Sequence, residues 1–197
     1  KEMYTFEDKG GTLLTLRPEF TAGVMRAYLE NGMSQWPRPV KVWSIGPVFR
    51  YERPQAGRFR QHTQFNVEAI GEQDPALDFE IMSVAYNLYR ELGFRNLAFQ
   101  INSIGCPNCR PAYLEKLAFY YKERIEAGCE DCKKRLVKNP LRLLDCKNPV
   151  CQPAIDRAPA ISESLCSECA EHFTTLRRYI EDLPLPVTLN HRLVRGL

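Results

Sequence analysis

The sequence has little to put into a membrane and little to spread along a nucleic acid. No apolar run approaches the roughly 18 residues that a spanning helix needs. No charged, apolar, small-residue leader opens the chain, and the formal net charge is only +3. Internal repeats and low-complexity tracts are missing, which excludes solenoids and biased disordered tails. There are three histidines, His62, His172 and His191, and they share no spacing; none is a good metal ligand or general base. Cysteine is absent from the first 105 residues, and all eight cysteines lie between Cys106 and Cys169. Small secreted disulfide scaffolds are loop-rich, whereas this chain has long helical stretches. The expectation is a cytoplasmic protein whose clustered thiols hold metal before they hold disulfides.

What remains is an ordinary globular composition: 197 residues, 44% hydrophobic and 26% charged, enough for one sizeable domain or two small ones. The opening "KEMYTFEDKGG" and the closing "RLVRGL" read as the interior of a longer chain. Thr12 to Leu16 reads as a short strand. Val24, Met25, Tyr28 and Leu29 recur at helical spacing before an Asn31-Gly32 stop. "VKVWSIGPVFRYE" is a strand broken or bent at Gly46-Pro47. "TQFNVEAIG" alternates, which sends Phe65, Val67 and Ala69 to the core and Gln64, Asn66 and Glu68 to the other face. The two strands are expected to be antiparallel, with Trp43 and Phe49 in the core. Asp74-Pro75 starts a helix that ends at Gly93. "LAFQINSIG" is another strand, and "LPLPVTLN" turns back toward one. Between them lie charged helices, Ala112 to Ala127 and Glu168 to Asp182. The fold class is α+β. Residues 1–103 form part of a sheet-based core, 104–183 a mainly helical, cysteine-rich insertion, and 184–197 the return to the core.

The chemistry concentrates in "FRYERPQAGRFRQHTQFNVE", Phe49 to Glu68. Residues two apart on a strand share a face, so Arg50 and Glu52 point one way. Gln64 and Glu68 share a face on the next strand, roughly 13 Å apart at about 3.3 Å per residue. Arg53, Arg58 and Arg60 lie in the connecting loop. Guanidinium forks suit phosphate oxygens, and a carboxylate beside an amide suits a small ligand with N–H groups to donate. A solvated basic hairpin with surface ion pairs is the bland alternative. Glu19 has a bland reading too, as a carboxylate near the start of a helix.

The order of these residues resembles motif 2 of the class II aminoacyl-tRNA synthetases, and more fully the histidyl-tRNA synthetase family. "LTLRPEFTAGVMRA" is similar to that family's first histidine-binding element, "GPVFRYERPQAGRFRQHTQFNVEAIG" to its motif 2, and the terminal "RLVRGL" to the start of its "RGLDYY" motif. The resemblance implies an antiparallel class II core and ATP-dependent activation of L-histidine, followed by transfer to tRNA(His). It implies that Arg50 contacts the α-phosphate and the substrate carboxylate, that Glu52 accepts from the adenine amino group, and that Arg58 holds the γ-phosphate. Glu19, Thr21, Gln64 and Glu68 would surround the histidine. Arg195 would be the catalytic arginine facing the α-phosphate from the side opposite Arg50. Mg²⁺ would accompany ATP, and the full-length protein would be a homodimer. Motif 1, motif 3 and an anticodon-binding domain are absent, so this segment alone is expected to be a poor catalyst. The family usually reads Pro-Glu-Gly-Thr where this chain has Pro18-Glu19-Phe20-Thr21. If relatives use positive φ at that glycine, the loop here must be re-formed. The alternative is the ATP phosphoribosyltransferase regulatory subunit, a relative that does not charge tRNA. It usually lacks the long insertion and the full arginine set.

The cysteines fall into pairs: Cys106 and Cys109, Cys129 and Cys132, Cys146 and Cys151, Cys166 and Cys169. A Cys-x2-Cys turn brings two thiolates to one Zn²⁺ at about 2.3 Å, and two such pairs complete a tetrahedron. The 19 residues between Cys109 and Cys129 suit a zinc-ribbon spacing. Eight thiols allow two structural sites, with the choice of partners open. A zinc-stabilised nucleic-acid-binding module is a third reading. The small net charge argues against it as the sole function, although the insertion could clamp a tRNA acceptor arm.

Overall fold

The computed structural model describes residues 3–181 and 186–194, which gather into two compact units divided between Gln73 and Asp74. The fold is α+β.

Among the described residues the first unit contains two antiparallel ribbons, one α-helix and a short 3-10 turn. Strands β1 (Thr5–Glu7) and β2 (Leu13–Thr15) pair through Phe6 and Leu14. Helix α1 (Thr21–Glu30) follows. Strands β3 (Val40–Phe49) and β4 (Gln61–Ile70) form a ten-residue antiparallel ladder. β3 runs unbroken through Gly46-Pro47, which corrects the expected interruption. Among the described residues β3 pairs only with β4, so the N–H that Pro47 lacks can fall on an unpaired edge.

The facing of this ladder also differs from the sequence reading. Directly opposed residues share a face, here Val42 with Glu68, Ser44 with Asn66, Gly46 with Gln64 and Val48 with His62. That face is the covered one: Val48 is fully buried and Asn66 is 9% exposed. The opposite face carries Trp43 at 67%, Ile45 at 61% and Phe65 at 45% exposure, and Val67 and Phe49 are half-buried. Alternation fixes which residues travel together. It cannot say which set is covered, and here α1 begins over the polar set.

The second unit is mainly helical. Helix α2 (Pro75–Glu91) is capped by Asp74, whose Oδ1 accepts from the Ala76 N–H at 2.8 Å. Strand β5 (Phe99–Ile101) pairs with β6 (Val187–Leu189) in parallel, an exception to the antiparallel expectation. Between them run α3 (Arg110–Lys122), α4 (Glu130–Lys138), α5 (Gln152–Asp156) and α6 (Ser167–Glu181), joined by short 3-10 turns. Tyr113, Leu117 and Tyr121 recur every four residues on α3, and this stripe packs with Leu143, Leu144, Ile155 and Ile161. Two of the tyrosines find backbone partners, Tyr113 Oη donating to the Pro159 carbonyl at 3.0 Å and Tyr120 Oη to that of Ala154 at 2.8 Å, whereas the Tyr121 hydroxyl is buried without a partner among the described residues. No helix among the described residues is long and apolar enough to cross a membrane.

Leu117 is fully buried in this core. Its replacement by alanine is expected to lower unfolding free energy by about 2–5 kcal/mol, measured by denaturant titration. A loss below about 1 kcal/mol would place α3 outside the core.

Candidate functional site

The β3–β4 ladder continues past its last named pair, since the Arg50 N–H donates to the Arg60 carbonyl at 2.8 Å. The chain then turns through Gln55 and Arg58, which exchange backbone hydrogen bonds, with Gly57 at φ 74°. A side chain rarely adopts that φ, so glycine suits the turn. The turn carries Arg58 back toward the strand, where its Nε meets Glu52 Oε2 at 2.9 Å. Arg50 is anchored differently: its Nε donates to the Pro18 carbonyl at 2.9 Å. Arg50, Glu52 and Arg58 together line one cleft of about 250 Å³, with Gly57, Phe59 and His62. Arg60 is turned away from this group, donating to the Glu52 carbonyl and stacking over Tyr51 with 4.8 Å to the ring centre.

A second polar cluster sits farther along the covered face. Glu68 Oε1 accepts from Thr21 Oγ1 at 2.7 Å and from Asn66 Nδ2 at 3.2 Å. One carboxylate thus ties the first residue of α1 to β4. Gln64, two residues from Asn66, has a buried side-chain oxygen with no partner among the described residues. An orphaned acceptor of this kind favours a ligand that brings a donor. Glu19 is used locally: its carboxylate accepts from the Ala22 N–H at 3.0 Å, which caps α1. Phe20 has φ −100°, an ordinary backbone angle, so the loop needs no left-handed residue here. Its ring instead lies against Gly46, whose added Cβ would stand 3.4 Å from Phe20 Cζ.

The sequence-selected residues therefore separate into a cleft set (Arg50, Glu52 and Arg58) and a bonded pair (Thr21 and Glu68). Gln64 is on the same strand face as Glu68, and Glu19 is engaged in capping. Arg195 lies outside the described residues. Sequence reasoning missed Asn66 as a partner of Glu68, and His62 and Phe59 as cleft residues. The alternation of β4 held the signal for His62 and Asn66, which stand two apart in the series with Gln64 and Glu68.

The eight cysteines meet in two tetrads within the second unit. Cys106, Cys109, Cys166 and Cys169 form one; Cys129, Cys132, Cys146 and Cys151 form the other, with the sulfurs of each within 4.8 Å of one another. All eight are free thiols. Backbone N–H groups point at the sulfurs, Cys106 to Cys109 at 3.3 Å, Cys129 to Cys151 at 3.4 Å and Asn148 to Cys146 at 3.4 Å. Hydrogen bonds from the backbone of Cys166 and Cys106 pull the Cys109 thiol down to about 6, and the backbone of Cys132 pulls Cys129 down to about 7. Burial pushes Cys169 up to about 12 and Cys132 and Cys151 upward as well. In the first tetrad Cys106 and Cys109 are drawn toward the anion while Cys169 resists charge, and in the second Cys129 is drawn toward it while Cys132 and Cys151 resist, a conflict that a cation at the centre would remove.

The α+β fold and the arginine-bearing hairpin are those of a class II aminoacyl-tRNA synthetase. A family model described as Histidyl-tRNA synthetase matches residues 1–119, and the chain belongs to that family. It is 51% identical over its full 197 residues to the histidine--tRNA ligase of Desulfitobacterium hafniense (strain DSM 10664 / DCB-2) and 52% identical to that of Dehalococcoides mccartyi (strain ATCC BAA-2266 / KCTC 15142 / 195). It spans 46% and 47% of those relatives, a little under half their length. Among solved structures, the apo Staphylococcus aureus histidyl-tRNA synthetase aligns over 99% of this chain and 45% of its own, with 38% identity and a TM-score of 0.75. A Bacillus halodurans protein described as an ATP phosphoribosyltransferase regulatory subunit/histidyl-tRNA synthetase aligns over 98% of this chain and 53% of its own, with 18% identity and a TM-score of 0.63. That likeness shows the fold alone.

Gly105, at φ 63°, precedes the first cysteine, and a Cβ there would stand 2.9 Å from Cys109 Sγ. Gly93, at φ 90°, has open space around its Cβ position. Gly93→Ala should cost roughly 1–2 kcal/mol of backbone strain, and Gly105→Ala clearly more. Equal losses in denaturant titration would show that the approach to Cys109 is unimportant.

Proposed function

We propose that the full-length protein activates L-histidine with ATP and passes the histidyl group to tRNA(His). The observation that carries this reading is the cleft that gathers Arg50, Glu52 and Arg58 on the strand face that also bears Gln64 and Glu68. In this reading the histidine carboxylate attacks the α-phosphorus of ATP, forming histidyl-adenylate and releasing pyrophosphate. Arg50 stabilises charge on the α-phosphate and orients the attacking carboxylate, its guanidinium already steadied by Pro18. By the family resemblance Arg195, which lies outside the described residues, would be the second arginine to act on that phosphate. Arg58 moves from Glu52 to the γ-phosphate, and the exposed ion pair it gives up is worth only about 0–1 kcal/mol. Glu52 is then free to accept from the adenine amino group. Mg²⁺ accompanies the β and γ oxygens as part of the substrate complex. The protein supplies position and preorganised charge, and forms no covalent bond of its own.

The histidine subsite consists of Glu19, Thr21, Gln64 and Glu68. Glu68 holds Thr21 and Asn66 already and can take an ammonium or imidazole N–H, and the unpartnered Gln64 oxygen is a second acceptor. Residues 104–183 constitute an insertion that contacts the acceptor arm of tRNA. The pairing of Phe99–Ile101 with Val187–Leu189 supports this, since it brings both ends of the segment to one place. A homodimer and a cytoplasmic location complete the reading, and structural Zn²⁺ held by the cysteines takes no part in the transfer. The regulatory-subunit reading is weaker, because relatives at about 51% identity are named as ligases while the regulatory protein is 18% identical.

The test is amino-acid-dependent ATP–pyrophosphate exchange by the full-length protein. Exchange should require histidine and fall about 10²–10³-fold in Arg50→Ala and in Arg195→Ala, the scale of losing one charge-stabilising donor. No exchange with any amino acid, from a folded protein, would transfer the case to the regulatory reading. Deletion of the insertion should weaken tRNA charging and spare exchange; equal loss of both would remove the acceptor-arm role.

A further inference from the structure

We propose that the chain binds two Zn²⁺ ions in nested order, an inner ion within the loop that an outer ion closes. The outer ion takes Cys106, Cys109, Cys166 and Cys169, and the inner ion takes Cys129, Cys132, Cys146 and Cys151.

The spacing of the sulfurs selects the kind of occupant. In the outer tetrad Cys106 lies 3.7 Å from Cys109 and 3.8 Å from Cys166, and Cys109 lies 3.9 Å from Cys169. In the inner tetrad Cys129–Cys146 and Cys132–Cys151 are both 3.8 Å. A tetrahedron with zinc–sulfur bonds of about 2.3 Å has edges of about 3.8 Å. A disulfide needs about 2.05 Å, and an iron–sulfide cluster needs room for several atoms between its thiolates. The tetrads fit one atom. Four soft sulfur donors in a tetrahedron select zinc over hard cations. Each ion would have all four positions filled by protein, so both sites are structural.

The nesting gives the sites different work. The outer tetrad joins residues 60 apart in sequence, one pair just after β5 and the other at the start of α6. It clasps the two ends of the segment. The inner tetrad lies in the apolar core with Leu143, Leu144 and Ile155, and Cys132, Cys146 and Cys151 are buried. Tyr121, whose hydroxyl is buried without a partner among the described residues, lines a small cavity together with Cys132 and Cys151. The loop between Cys146 and Cys151 is also the floor for the returning chain: Gln152 Nε2 donates to the Cys146 and Asn148 carbonyls at 2.8 and 3.0 Å, and Gln152 Oε1 accepts from Arg192 at 2.8 Å. None of this depends on the synthetase reading.

The experiment is metal analysis of the full-length protein, purified without chelator, with alkylation and peptide mapping. Wild type should carry two zinc equivalents that involve these eight cysteines, all protected from iodoacetamide. In the C106S/C109S variant one equivalent should disappear and Cys166 and Cys169 should label, while the inner four stay protected. Labelling of Cys129 and Cys132 instead would overturn the nested pairing. Less than about half an equivalent of zinc, with all eight thiols labelling, would overturn metal binding; stoichiometric iron would overturn zinc. Should the double variant not fold, wild type under increasing chelator should release the outer four thiols as one group before the inner four. A single release of all eight would overturn two separate sites.

Discussion

Four sulfurs held within 4.8 Å of one another, at two places in the second unit, are the constraint on which that unit's architecture depends. Thiol side chains are small, and ten buried residues, three of them cysteines, with nine partly buried hydrophobic side chains packed around them would be thin for so much loop. The tetrads gather the loop at points of fixed geometry. Gly105 must be a glycine for the first of them, both to reach φ 63° and to let Cys109 approach. The influence extends outward from the sulfurs. The loop from Cys146 to Cys151 fixes Gln152, which receives Arg192, and Arg192 also pairs with Asp156. Arg192 stands three residues before Arg195. The cysteine cluster is thus connected, through Gln152, to the chain just after β6.

The first unit depends on a register rather than on a cluster. Ten consecutive β3–β4 pairs fix every side chain's face, because a slip of one residue would exchange the two faces. With this register His62, Gln64, Asn66 and Glu68 form one row, and Arg50 and Glu52 extend the β3 row that faces it, on the same face, beyond the ladder's end. Thr21 then crosses from α1 to Glu68, and Pro18 holds Arg50. The short segment Pro18 to Thr21 therefore touches both zones of the hairpin.

Much of this was legible in the sequence, but unevenly. The cation-rich turn, the paired cysteines and the Asp74 cap could be read because each depends on local spacing and side-chain chemistry. Two of the helices in the cysteine-rich stretch were placed, α6 to within one residue and α3 too long by five at its end, where a separate turn follows Lys122, while α4 and α5 were not placed. Within this chain, which spans under half the length of its relatives, the polar row of β4 is the covered one and the apolar row the exposed one, the reverse of the sequence reading. Period-two patterning assumes that apolar side chains are the covered ones, and here Phe20 and α1 close over the polar row while Trp43 and Phe65 stay exposed. Strand β1 was missed, being three residues long and held by its partner alone. The nested choice of cysteine partners was out of reach, since sequential and nested pairings have the same local spacings and only the path of α3 to α6 distinguishes them.

The inverted faces of β4 carry an argument about function that the motif alone does not. Burying a polar row has a cost unless each group finds a partner. Asn66 and Thr21 are satisfied through one oxygen of Glu68, while the buried oxygen of Gln64 is left without a partner among the described residues. Val or Ile at these positions would be buried without that cost. Keeping Gln64 and Glu68 covered, with Phe20 packed on Gly46 beside them, makes physical sense when the covering is itself a binding site. A small ligand with several N–H donors would restore the hydrogen bonds that burial has removed from water.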